Sequence, residues 1–164
     1  MRPLFLIIGK SGCGKNWICD ALEFNSIPSY TTREMRKGEI DGKEHIFITK
    51  DEYEKKYKHS IKAAYTYFNN NHYFATIDQA EDPKYNAYIV DVDGLDYILD
   101  LKKDKWIKRD LNIIYIKSRW YKRLYRMIKR DGITKAIKRF IHDIRAFSHF
   151  DEVVKFHTIK YIKN

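Results

Sequence analysis

Residues Gly9-Lys10-Ser11-Gly12-Cys13-Gly14-Lys15-Asn16 match the phosphate-holding pattern G-x-x-x-x-G-K-[ST] at every position except the last. The chemistry of such a loop is anion binding. Glycines let the backbone wrap a phosphate, the helix that follows presents free N–H groups, and Lys15 adds a positive charge. The implied ligand is a nucleoside triphosphate. Both flanks agree with this reading, because Leu4-Phe5-Leu6-Ile7-Ile8 has the character of a buried strand. Behind the loop, Trp17, Ile18, Ala21 and Leu22 are spaced to share one helical face. The plainer alternative is a glycine-rich turn that fits the pattern by chance.

Three further groups of residues have types suited to chemistry. Arg33 and Arg36 lie three apart in a segment bounded by glycine, and their fork-shaped guanidinium groups suit a phosphate dianion better than lysines would. Asp91 and Asp93 end the apolar run 86–93, where carboxylates are unfavourable unless they serve a ligand, a metal or a helix cap. Arg119, Arg123, Arg126 and Arg130 recur at steps of four, three and four, which aligns them on one helical stripe. Asp131-Gly132 breaks that helix, and Ile137, Phe140, Ile141, Ile144 and Phe147 are expected to mark the buried face of the next, with Arg139 on its other side. Two helices joined at a turn suit a lid over phosphates; the alternative is an amphipathic helix with an exposed basic face.

The elements that must position these groups follow from the pattern of apolar runs. Residues 86–93 and 111–116 are of buried-strand length, and each precedes a helical pattern, so strands and helices alternate around a parallel sheet. Residues 27–77 carry short Thr-, Tyr- and Phe-rich pieces around Pro28, Gly38 and Gly42, the signature of a small strand-rich insert, with Asn69-Asn70-Asn71 as a turn inside it. At 164 residues one domain is expected. Apolar runs fall far short of the ~20 residues that cross a bilayer, and a cytoplasmic protein without membrane partners is expected. Cys13 and Cys19 have neither disulfide nor zinc spacing. The net charge of +10 is concentrated, since residues 101–164 hold 19 of the 32 Lys and Arg but 6 of the 22 Asp and Glu. Such a block suits nucleotide phosphates, nucleic acid or a solvated surface.

The stretch Ser29-Tyr30-Thr31-Thr32-Arg33-Glu34-Met35-Arg36-Lys37-Gly38-Glu39-Ile40-Asp41-Gly42-Lys43-Glu44-His45-Ile46-Phe47 resembles the S-x-T-T-R-x-P-R-x-G-E-x-x-G-x-x-Y-x-F signature of guanylate kinases, and Asn71-His72-Tyr73-Phe74-Ala75-Thr76 resembles that family's N-x-Y-G-[ST] segment. The similarity is clear over residues 3–100 and diffuse from the arginine helix to a strand expected at Phe150-Asp151-Glu152-Val153-Val154. It implies an α/β, three-layer P-loop NTPase fold with a central parallel sheet. The core would comprise 1–26, 78–118 and 141–164, the monophosphate-binding insert 27–77, and the helical lid 119–140. The resemblance assigns the ATP phosphates to Gly9, Ser11, Gly12, Cys13, Gly14, Lys15 and Asn16. The acceptor monophosphate falls to Ser29, Arg33, Arg36, His45, Tyr73, Thr76 and Asp93. Lys15, Arg126, Arg130 and Arg139 would act on the transferring group, and Asn16 with Asp91, through water, on Mg2+.

Three positions depart from the family pattern. Asn16 replaces the hydroxyl residue that touches magnesium, His45 replaces a phosphate-binding tyrosine, and Ala64 replaces the glutamate that reads guanine. No carboxylate occurs from Lys55 to Ile77 to take that glutamate's place. The expected activity is transfer of the terminal phosphoryl group of ATP to a monophosphate, GMP or dGMP first, by a monomer or homodimer with a mobile insert and lid. The alternatives are a kinase of changed base specificity and a catalytically silent binding module. A nucleic-acid end kinase fits the acceptor segment less well.

Overall fold

The computed structural model describes residues 2–36, 38–148, 150 and 159–164. Two four-stranded sheets organise it. The first takes β1 (Leu4–Ile8), β6 (Ala87–Ile89), β7 (Leu111–Lys117) and β8 (Ile159–Lys163) in the order β6-β1-β7-β8, every neighbour parallel. The second takes β2 (Ser29–Thr31), β3 (His45–Phe47), β4 (Lys62–Phe68) and β5 (Asn71–Thr76) in the order β3-β2-β5-β4. The helices are α1 (Lys15–Ala21), α2 (Lys50–Glu52, continued by the π-helical Tyr53–Tyr57), α3 (Ile77–Glu81), α4 (Val92–Lys103), α5 (Trp120–Asp131) and α6 (Ile133–Ala146).

β1 is apolar throughout because both of its faces are covered. Leu4, Leu6 and Ile8 join Leu95, Ile98 and Leu99 of α4 in one core cluster, whereas Ile7 joins Ile18 and Cys19 of α1, with Ile114 and Ile116, in another. This sandwich puts Gly9, the first residue of the loop, at the carboxyl end of β1, where ligands bind in open parallel sheets. The expected strand-rich insert is present as the second sheet. Its β4–β5 hairpin turns at Asn69 and Asn70, both at positive φ (50° and 61°), a conformation that asparagine tolerates.

Several sequence expectations are corrected. Of the face expected on α1, Ile18 is buried but Trp17, Ala21 and Leu22 are exposed, and the seven-residue helix buries Cys19 beside Ile18. On α6, Ile137, Ile141 and Ile144 are 48%, 46% and 55% exposed, while Ala136 and Asp143 form the buried face. Polar ties set the orientation of α6, because Asp143 turns inward onto Ser11 and Arg123 and carries the isoleucines outward. The strand expected at Phe150–Val154 falls mostly outside the described residues.

A buried arginine absent from the sequence reading joins distant segments. Arg109 is 1% exposed, and its guanidinium donates to five carbonyl oxygens: Arg2, Pro3, Ala80, Asp82 and Tyr85, at 2.8 to 3.2 Å. It thereby ties the entry to β1 to the loop between α3 and β6. Lysine has three donors on a single atom and cannot span that set. Arg109→Lys is expected to lower stability by about 3 kcal/mol, through stranded buried carbonyls. Urea denaturation checks this, and an unchanged midpoint would remove Arg109 from the account of the fold.

Candidate nucleotide cleft

A cleft of about 540 Å³ runs between the phosphate loop, the second sheet and the α5–α6 pair. Its walls carry Gly9, Ser11, Gly12, Gly14, Lys15 and Asn16 from the loop, Ser29, Arg33, Arg36, His45 and Tyr73 from the insert, Asp91 from the end of β6, and Arg126, Arg130 and Arg139 from α5 and α6. Most of the residues singled out in the sequence thus meet in one place. Five do not line it: of the arginine stripe, Arg119 bonds the Tyr121 hydroxyl and Arg123 is buried beneath the loop, and three others also lie outside. Cys13 is buried behind the loop, Thr76 spends its hydroxyl in a capping box with Gln79 at the start of α3, and Asp93 lies in the first turn of α4.

The loop is shaped for an anion. Gly12 and Gly14 sit at φ 75° and 92°, a region that side-chain-bearing residues rarely adopt. Lys15 Nζ donates to the Gly9 carbonyl at 2.6 Å, which parks the ammonium at the mouth of the loop. Ser11 is tied elsewhere, since its N–H and hydroxyl donate to Asp143 at 2.7 and 3.0 Å.

Opposite the loop, Arg33 makes a two-pronged pair with Glu39 at 2.7 and 2.6 Å, and the Arg36 N–H donates to the same carboxylate at 2.7 Å. Burial by itself would raise the Glu39 pKa, but the Arg33 hydrogen bonds and the Arg36 N–H outweigh it and hold the carboxyl at about 2. Glu39 therefore stays ionised and fixes the fork of Arg33. Arg139, stacked 5.9 Å from the Phe68 ring, has its pKa pushed down by burial and then by Arg36 and Arg130. Guanidinium groups from the insert, α5 and α6 thus face one another at close range, and an anion among them relieves that repulsion. Phe68 also meets His142 edge-on at 4.6 Å, so the hairpin tip of the insert touches α6 across the cleft.

Asp91, rather than Asp93, caps α4: its Oδ1 accepts from the Gly94 N–H at 2.9 Å and from the Thr66 hydroxyl at 2.7 Å. The Asp93 carboxyl is raised by burial and by Asp91. Asn16 and Asp91 share the cleft as oxygen donors, the ligand type that magnesium prefers, and they fit a metal held mainly by nucleotide phosphates. Among the described residues no cluster of three His, Cys, Asp or Glu forms an independent metal site. Ala64, 2% exposed, lies in the cleft wall close to Gly94, and the Ser29 hydroxyl donates to that of Tyr88 at 3.5 Å. Sequence reasoning missed Glu39, Phe68, His142 and Asp143. For Asp143 there was a signal: it is the single acidic residue between 132 and 150.

His45 has its pKa lowered to about 4 by burial and by Arg33, with its Nδ1 buried and unpartnered. Because the folded value lies below the ordinary 6.5, the unfolded chain binds the extra proton first. The contribution of His45 to stability is therefore complete above pH 6.5 and is lost as the pH falls toward 4. Urea midpoints measured between pH 7 and pH 4 are expected to fall more steeply for the wild type than for His45→Phe. Parallel profiles would contradict a neutral, half-buried imidazole.

Comparison with known proteins agrees with this geometry. The model of the guanylate kinase family matches residues 1–160. A guanylate kinase from Baumannia cicadellinicola is 27% identical over 94% of this chain and 84% of its own length. Guanylate kinases from Lactiplantibacillus plantarum and Fusobacterium nucleatum are 36% and 31% identical over 43% and 50% of this chain, which span 37% and 46% of theirs. A crystal structure of guanylate kinase from Anaplasma phagocytophilum superposes with a TM-score of 0.66 over 99% of this chain and 77% of that one, at 16% identity, a likeness of fold. Three-layer architecture, phosphate loop and acceptor segment thus lead to one conclusion: this chain belongs to the guanylate kinase family.

Proposed function

We propose that the protein transfers the terminal phosphoryl group of ATP to a nucleoside monophosphate, with GMP and dGMP as the first acceptors. The observation that carries this reading is the cleft in which Lys15, Arg33, Arg36, Arg126, Arg130 and Arg139 converge from the loop, the insert and two helices. Phosphoryl transfer asks for positioning and charge neutralisation more than for covalent chemistry, and this set supplies both. Lys15 and the loop N–H groups hold the donor phosphates. Arg33, kept in register by Glu39, acts with Arg36, Tyr73 and His45 on the acceptor phosphate. Arg126, Arg130 and Arg139 neutralise the charge on the group in flight, and α5–α6 with the insert form the lid that excludes water. Mg2+, held by Asn16 and through water by Asp91, would supply further neutralisation of the donor phosphates.

A second reading is favoured by Ala64. A buried methyl in the wall where the family has a glutamate leaves the guanine N–H donors without that acceptor, a loss of ~1 to 3 kcal/mol where no other group replaces it. That reading keeps the reaction and broadens or changes the base.

Transfer from magnesium-ATP to a panel of ribo- and deoxyribonucleoside monophosphates tests both. Lys15→Ala is expected to lower turnover about 100-fold or more. Arg33→Lys is expected to raise the acceptor KM about tenfold, because a lysine cannot keep the two-pronged pair with Glu39 that fixes this cation at the acceptor end of the cleft. Preference for GMP and dGMP supports the first reading, and preference for another base supports the second. A folded protein that binds ATP yet turns over no acceptor would overturn the kinase assignment.

A further inference from the structure

All three polar groups of Ser11 are gripped by the α5–α6 pair. Its N–H donates to Asp143 Oδ2 at 2.7 Å, its hydroxyl donates to Asp143 Oδ1 at 3.0 Å, and its carbonyl accepts from Arg123 Nε at 3.0 Å. Arg123 Nη2 closes the ring on Asp143 Oδ2 at 2.8 Å, and the two residues are 5% and 6% exposed. Arg126 adds a donation to the Gly12 carbonyl at 3.1 Å. The loop backbone also rests directly on α5, since a Cβ at Gly12 would come within 2.8 Å of the Arg123 carbonyl oxygen.

A carboxylate beside a polyphosphate site repels the ligand unless its charge is cancelled, and Arg123 cancels it on the spot. What remains is geometry. Ser11 and Gly12 are fixed, while Lys15 and Asn16 open α1, where the first N–H groups have no acceptor within the helix. Arg139 precedes Asp143 by one helical turn on α6, so the same carboxylate that holds the loop also fixes the root of a cleft arginine.

We propose that Asp143, acting with Arg123, is a positioning residue for the donor phosphates: it presets the loop and yokes it to Arg139. The proposal rests on reading residues 9–16 as the donor-phosphate site. Presetting removes an ordering penalty that nucleotide binding would otherwise carry.

Two substitutions break the arrangement without changing net charge: Asp143→Glu, which displaces the carboxylate, and the double change Arg123→Gln with Asp143→Asn. Lys138→Ala, exposed on α6, is the control. Titration calorimetry of the full chain with magnesium-ATP, and separately with GMP, reads the two halves of the cleft. Magnesium-ATP affinity is expected to weaken about tenfold in both variants and to hold in the control, while GMP affinity moves less than about twofold. Unchanged ATP affinity with only a lower Tm, or equal weakening of both ligands, would overturn the proposal, as would a wild type that binds no ATP. Should both variants fail to fold, Ser11→Ala decides, because it deletes one bond of the ring. An ATP affinity about twofold to threefold weaker supports the proposal, and an unchanged one overturns it. Calorimetry needs no turnover, so a wild type that binds ATP without transferring phosphate refutes the kinase reading alone.

Discussion

Like charges held together in a partly dry cleft repel, and the architecture of this protein is organised around that constraint. Arg36 comes from the insert and Arg130 and Arg139 from the consecutive helices α5 and α6, and the pKa of Arg139 is pushed down by burial first and then by Arg36 and Arg130. Each is held by something other than a ligand. Asp131 accepts from Arg130 at 2.7 Å, Phe68 lies beneath Arg139, and Glu39 binds the Arg36 N–H. Asp131 offsets the charge of Arg130, whereas Phe68 and the Arg36 N–H contact offset none, so that an anion of the right size gains more in the cleft than it would on an open surface.

The supports differ in kind from the groups they hold. Glu39 and Asp143 are both acids at the edge of the cleft, and each is matched to an arginine, Arg33 and Arg123 respectively. The pairing cancels charge and leaves orientation as the product. Arg123 illustrates the division well: on the helical stripe it is indistinguishable from its neighbours, yet it is buried and committed to Ser11 and Asp143, whereas Arg126 and Arg130 are exposed and reach the cleft.

How much was legible beforehand follows from the range of the forces involved. The order of β1, loop and α1, the strand-rich insert and the turn at Asn69–Asn70 are local patterns of apolar spacing and turn chemistry, and they read directly, whereas the face that α1 buries did not. The inward face of α6 did not, because its apolar stripe promised burial by amphipathicity while the deciding contact is Asp143 with Ser11, 132 residues away. Arg109 was silent for the same reason: its partners are backbone carbonyls of two separate segments, residues 2–3 and 80–85, which no side-chain pattern announces. Asp91 and Asp93 were recognised as a pair, but which of them caps α4 depends on backbone angles that one residue of register decides. Ala64 was legible as an absence, and the structure adds that it is buried in the cleft wall.

If donor and acceptor phosphates share this one arginine-lined cleft, a single bisubstrate ligand should occupy both halves of it. Adenosine and guanosine joined through five phosphates should bind far more tightly than ATP or GMP alone and should displace both, since one molecule then fills the loop and the insert together. A ligand of that kind that displaced only ATP, with an affinity no better than that of ATP itself, would contradict the account by separating the two sites.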